Sequence, residues 1–77
     1  LSGDFRSALD VDNQALKLSI ELNDSTRISV NYNNIANDYF DLGDYDDAYY
    51  YFSQSYLIAE KLKNYFRMGI AAHNIAR

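Results

Sequence analysis

Cysteine, proline and tryptophan are absent from this chain of 77 residues, glycine occurs three times and histidine once. Without cysteine there is neither a disulfide frame nor a thiolate metal site, and the redox compartment is left open. Without proline, and with little glycine, nothing interrupts a series of helices, and no stretch alternates with the period of two that a strand requires. With His73 as the single imidazole, a nucleophile, base and orienting group would have to converge around one residue, so catalysis is not expected. The same poverty of ligands gives no metal or cofactor to expect. His73 reads as a polar position on an exposed helix face.

Positive charge is also scarce. Seven Lys and Arg stand against eleven Asp and Glu, for a formal charge of −4, and the basic residues are scattered. A nucleic-acid footprint needs them gathered on one face, so nucleic acid is not an expected partner. No apolar run is long enough to cross a bilayer and no basic-then-apolar leader opens the chain, so membrane contact by this segment is not expected and a cytoplasmic setting is favoured. The acids Asp38, Asp41, Asp44, Asp46 and Asp47 lack the alternating oxygen ligands and terminal Glu of a calcium loop and read as capping and solvation. Asn23-Asp24-Ser25 formally matches a glycosylation acceptor, a three-residue pattern frequent by chance. The chain starts on Leu1 and stops at Arg77 inside a helical pattern, as a piece of a longer protein would.

What the chain has in quantity is tyrosine, eight residues, with four phenylalanines. An apolar ring with a polar tip suits half-buried surfaces. Apolar residues at helical spacing place four helices, over 4–22, 26–42, 44–62 and from 66 onward. Phe5, Ala8, Leu9, Ala15, Leu16, Ser19 and Leu22 line the first; Ile28, Tyr32, Ile35, Ala36 and Tyr39 the second; Tyr45, Ala48, Tyr49, Phe52, Tyr56, Ala59 and Leu62 the third. Gly43-Asp44 is the sharpest corner: glycine supplies the left-handed conformation that closes one helix, and Asp44 is expected to cap the next. Short connections make neighbouring helices antiparallel.

The chain also resembles itself. At an offset of about 40 residues, a spacing found in helical repeat arrays, Gly3-Asp4-Phe5 falls on Gly43-Asp44-Tyr45, Ala8 on Ala48, Gln14 on Gln54, Leu22 on Leu62, Arg27 on Arg67 and Asn34-Ile35-Ala36 on Asn74-Ile75-Ala76. Asp12 breaks the match by standing where the second copy has Phe52, so the first helix packs less well there. The series Tyr32, Ile35-Ala36, Tyr39, Gly43-Asp44-Tyr45, Ala48, Phe52, Ser55 resembles the tetratricopeptide repeat over nearly the whole chain. It departs at Ala36, where the family commonly has Gly, at Ser55, where it has Ala, and at Glu60, where Pro often ends the unit. In physical terms Ala36, Ala48 and Ser55 let two helices approach while Tyr32, Tyr39, Tyr45 and Phe52 fill the space beside them.

The resemblance implies an all-α fold of antiparallel helical hairpins stacked as a superhelix, about two repeats and four helices long. Residues 1–24 would be the second helix of one unit, 25–64 a complete unit and 65–77 the first helix of a third. It implies a module that binds a protein or peptide within a larger scaffold, and the long repeat without proline is similar to arrays in bacterial signalling proteins. The family's groove, carried over residue by residue, falls on Val30, Asn33, Asn37, Phe40 and Asp41, and on Ile70, His73 and Arg77. The carboxylate-clamping version of that groove has a Lys where this chain has Asn33, so binding of chaperone tails is not implied. The alternative is a segment used for self-association, because the end helices should expose apolar stripes that seek another chain. In the run Tyr49-Tyr50-Tyr51, Tyr49 is expected to pack, Tyr51 to lie at a flank and Tyr50 to be exposed, a surface candidate beside the groove.

Overall fold

A computed structural model describes the backbone of residues 2–76 and the side chains of residues 6–76. The helices are α1 (Ser2–Glu21), α2 (Ser25–Asp41), α3 (Tyr45–Lys61) and α4 (Tyr65–Ala76). Among the described residues there is no strand. Each helix packs on the next along the chain, α2 also touches α4, and among the described residues α1 makes no contact with α3. The result is a flat stack of antiparallel hairpins measuring 36 × 30 × 16 Å.

The three corners are built alike. Asn23, Gly43 and Lys63 hold φ of 53°, 83° and 54° and recur every twenty residues, each preceded by a leucine, Leu22, Leu42 or Leu62. At each corner the backbone closes two bonds back onto the helix just ended: Asp24 N–H to the Ser19 carbonyl and Asn23 N–H to Ile20, with the same pattern at Asp44 and Gly43 and at Asn64 and Lys63. This is the Schellman closure, which satisfies carbonyls the last turn would leave orphaned. The capping side chains repeat at twice that interval. Asp24 Oδ1 accepts from Arg27 N–H at 3.1 Å and Asn64 Oδ1 from Arg67 N–H at 3.1 Å. Asp44 makes no side-chain cap bond, contrary to its expected role. Two like caps forty residues apart, around an unlike one, carry the sequence repeat into the backbone. The repeat does not extend to the first corner: α1 runs through Gly3 and Asp4, where a turn like that at Gly43 was expected.

Among the described residues, the fully buried apolar ones are Ile35, Ala36, Ala48, Phe52, Ala59 and Ala71. Four are alanines, so close approach rather than bulk makes this core, and Phe52 and Ile35 supply most of its volume. Phe52 lies against Ala36 and Ala48, with Tyr39, Phe40, Tyr51 and Ile75 around them. At the far end of the α2–α3 seam two serines face each other, both fully buried. The Ser55 hydroxyl donates to the Ser29 carbonyl at 2.8 Å, the Ser29 hydroxyl donates to the Ser55 carbonyl at 3.0 Å, and the two oxygens are 3.1 Å apart. Ser55 thus permits close approach, as expected of a small residue, and also bonds across the seam. Tyr45 was placed among the packing aromatics, but it is 53 % exposed, its ring tilted on Phe40 at 5.0 Å.

Candidate interaction surface

Three faces of α2 are occupied by different neighbours, as helical spacing dictates. Asn31 and Asp38, seven apart, meet α1, where the Ser19 hydroxyl donates to Asn31 Oδ1 at 2.6 Å. Ser29 and Ala36, also seven apart, meet α3. Asn33 meets α4: the Asn74 side-chain amide donates to Asn33 Oδ1 at 2.9 Å. Asn33 is 7 % exposed, so this bond fixes the two helices side by side from within.

The residues expected to form a groove are on the two helices that this bond joins, with Arg77 outside the described residues. On α2, Val30, Asn37 and Phe40 are half-buried and Asp41 is exposed. On α4, Ile70 is half-buried and His73 exposed. Ile70 and His73 line an open recess of about 440 Å³ with Tyr65, Phe66, Gly69 and Asn74. All six lining residues belong to α4, so the recess is a helix face without a covering neighbour. Asn33 and Asn37 share a face, as expected, but the amide oxygen of Asn33 is turned to Asn74. Asn74 was not among the expected site residues, although the repeat of Asn34-Ile35-Ala36 at 74–76 marked its position.

A second surface feature is aromatic. Tyr51 of α3 stacks between Tyr32 and Tyr39 of α2, with ring centroids 5.8 and 5.5 Å away, and Tyr50 meets it edge-on at 5.1 Å. Offset stacking and edge contacts of this kind satisfy the ring quadrupoles. Burial, then the neighbouring Tyr39 and Tyr50 phenols, Asp47 and Tyr32, push the Tyr51 phenol above its ordinary range. Tyr51 is therefore the centre of a stack where a flank position was expected, and Tyr49, expected to pack, is exposed. Tyr50 is exposed as expected.

The third feature is acidic. Asp38 is buried on the α1 side of α2, and its Oδ2 has no hydrogen-bond partner. Burial, a hydrogen bond shared with Asp12 of α1, and the charges of Asp12 and Asp41 push its carboxyl up to about 7. Asp12, which stands at the position of Phe52 in the repeat, thus hydrogen-bonds a buried carboxyl on the next helix. At the α3 N-terminus, Asp47 is raised by a hydrogen bond with Asp44, then by desolvation and by the charges of Asp44 and Asp46. Among the described residues no three His, Cys, Asp or Glu side chains converge as metal ligands would, and no described helix is long and apolar enough to cross a membrane. No family model, no curated protein and no solved structure matches this chain.

Proposed function

We propose that this chain is a protein- or peptide-interaction module, one segment of a helical repeat array serving as scaffold in a larger signalling or regulatory protein. It would act through surface and shape, with no chemistry of its own. The observation that carries the reading is the Asn33–Asn74 bond, which joins α2, the helix bearing Val30, Asn37 and Phe40, to α4, whose Ile70 and His73 line an uncovered recess. Half-buried apolar side chains between polar amides suit an extended peptide, whose backbone would bond the amides while its side chains fill the recess. The likeness to tetratricopeptide repeats supports the same face, and a bacterial signalling context belongs to that likeness. The test is a peptide selected by display on this protein, measured against Asn37→Ala with Phe40→Ala. Loss of binding by more than tenfold with the helical signal intact is expected, and unchanged binding would refute the assignment.

A second reading, self-association, is favoured by the two ends of the stack. Tyr65 and Phe66 on α4 are 73 % and 76 % exposed, and Val11 and Leu18 on α1 are 63 % and 53 % exposed. A chain this small gains much by covering such faces.

A further inference from the structure

The seam that holds α1 is thinner and more polar than the others. Among the described residues α1 packs on α2 and on no other helix, and Ser19 is its one buried side chain. Ala8, Leu9, Ala15 and Leu16 are only half-buried, whereas the α2–α3 seam closes over Phe52 and the paired serines. Two polar contacts share the antiparallel register of α1 on α2. Ser19 meets Asn31, and seven residues away on both helices Asp12 meets Asp38.

The second contact depends on a proton. An ionised carboxylate only accepts hydrogen bonds, so Asp12 and Asp38 can bond one another only while one of them is protonated. Asp38 is 9 % exposed and no N–H or hydroxyl reaches its Oδ2. Ionised there, it would be a buried charge facing a second carboxylate, and opening the seam to water relieves both costs. We infer that this pair is a pH-sensitive latch: α1 docks on α2 while the pair holds a proton and undocks when the proton is lost, with α2, α3 and α4 still packed.

The groups around Asp38 offer its charge no compensation. Asp12 faces it from α1 and Asp41 acts from its own helix, while Arg6, Asp10, Lys17 and Glu21 of α1 are exposed. The helices α3 and α4 pack on other faces of α2, through Ser29 and Ala36 and through Asn33. Burial first, then the Asp12 bond and the charges of Asp12 and Asp41, hold the carboxyl at about 7. The docked state therefore binds a proton that the undocked state releases, and docking weakens as pH rises through that value. Phe52 and the Ser29–Ser55 pair, which hold α3 to α2, carry no group that titrates there. Opening confined to the least buried element is the ordinary form of sub-global unfolding.

Distances between spin labels on the intact chain test this, since a sequence without cysteine accepts labels only where they are placed. Gln14→Cys with Glu60→Cys reports α1 against α3, and Glu60→Cys with Ala72→Cys reports α3 against α4; all three positions are exposed. Between about pH 5 and about pH 8 the first pair should gain a second, broad distance population, its ratio to the docked one rising at least about tenfold, while the second pair keeps its distance. Asp38→Asn and, separately, Asp12→Asn put a permanent N–H donor into the contact, and each should hold the first pair at its low-pH distance throughout. Broadening of both label pairs together would overturn the latch, because the carboxyls would then act on the whole fold. An unchanged first pair, or broadening that persists in the Asn variants, would overturn it as well.

Discussion

Replacing Asp38 with Asn should make the protein more stable at neutral and alkaline pH, and the structure sets the size of the effect. Asp38 is 9 % exposed, and burial with Asp12 and Asp41 nearby moves its carboxyl from 3.8 to about 7. A raised folded-state value means that the folded protein holds a proton which the unfolded chain releases. The stabilisation is therefore complete below the unfolded value and is lost as pH rises through about 7. At 1.36 kcal/mol per unit the ceiling is roughly 4 kcal/mol. Asn keeps the shape and a donor for Asp12 but cannot ionise. Urea unfolding followed by circular dichroism should show the wild type losing roughly 2–3 kcal/mol between about pH 5 and about pH 8, and Asp38→Asn losing much less. A wild type equally stable at both ends, or an Asn variant with the same slope, would refute the account of this carboxyl pair.

Phe52→Ala removes the largest side chain of a core otherwise rich in alanine and should cost about 3–5 kcal/mol, enough to unfold so small a stack; an unchanged melting curve would remove Phe52 from the core. Ser29→Ala and Ser55→Ala should each cost about 1 kcal/mol, and the double variant less than their sum by at least about 0.5 kcal/mol, because they share one reciprocal pair; strict additivity in a double-mutant cycle would contradict it. Lys63→Gly should raise stability by about 0.5–1 kcal/mol by relieving a left-handed lysine, and Gly43→Ala should lower it by about 1 kcal/mol through backbone strain alone, since no atom lies near the new Cβ; the opposite signs in thermal melts would refute the corner assignment.

The helices and their corners were legible because they depend on local chemistry. Apolar spacing within one helix, and Asn23-Asp24, Gly43 and Asn64 between helices, placed every observed boundary after the first within a residue or two. Lys63 gave no such signal: it is left-handed because the Schellman bonds around it outweigh the preference of its own side chain. Gly3-Asp4 gave a false one, because a glycine and an aspartate suffice for a corner only where the helix before them ends. What the sequence hid depends on neighbouring helices. Nothing in a row of aspartates distinguishes Asp38, which faces α1, from exposed Asp41. Tyr51 became the centre of a stack because α2 offers Tyr32 and Tyr39 at a separation of seven, a relation between helices that neither helix carries alone. On the candidate surface, Val30, Asn37 and Ile70 come from the likeness to the repeat family alone, whereas the engagement of Asn33 by Asn74 required knowing how α4 sits on α2.

The central claim, that the α2 and α4 faces receive an extended peptide, is tested most directly by mapping backbone amide shifts as a display-selected peptide is titrated into the isotope-labelled protein. The account predicts that the perturbed amides gather at Val30, Asn37, Phe40 and Ile70, on the two helices joined by the Asn33–Asn74 bond. Perturbations confined to the outer face of α3, at Tyr50 and Leu57, would contradict it.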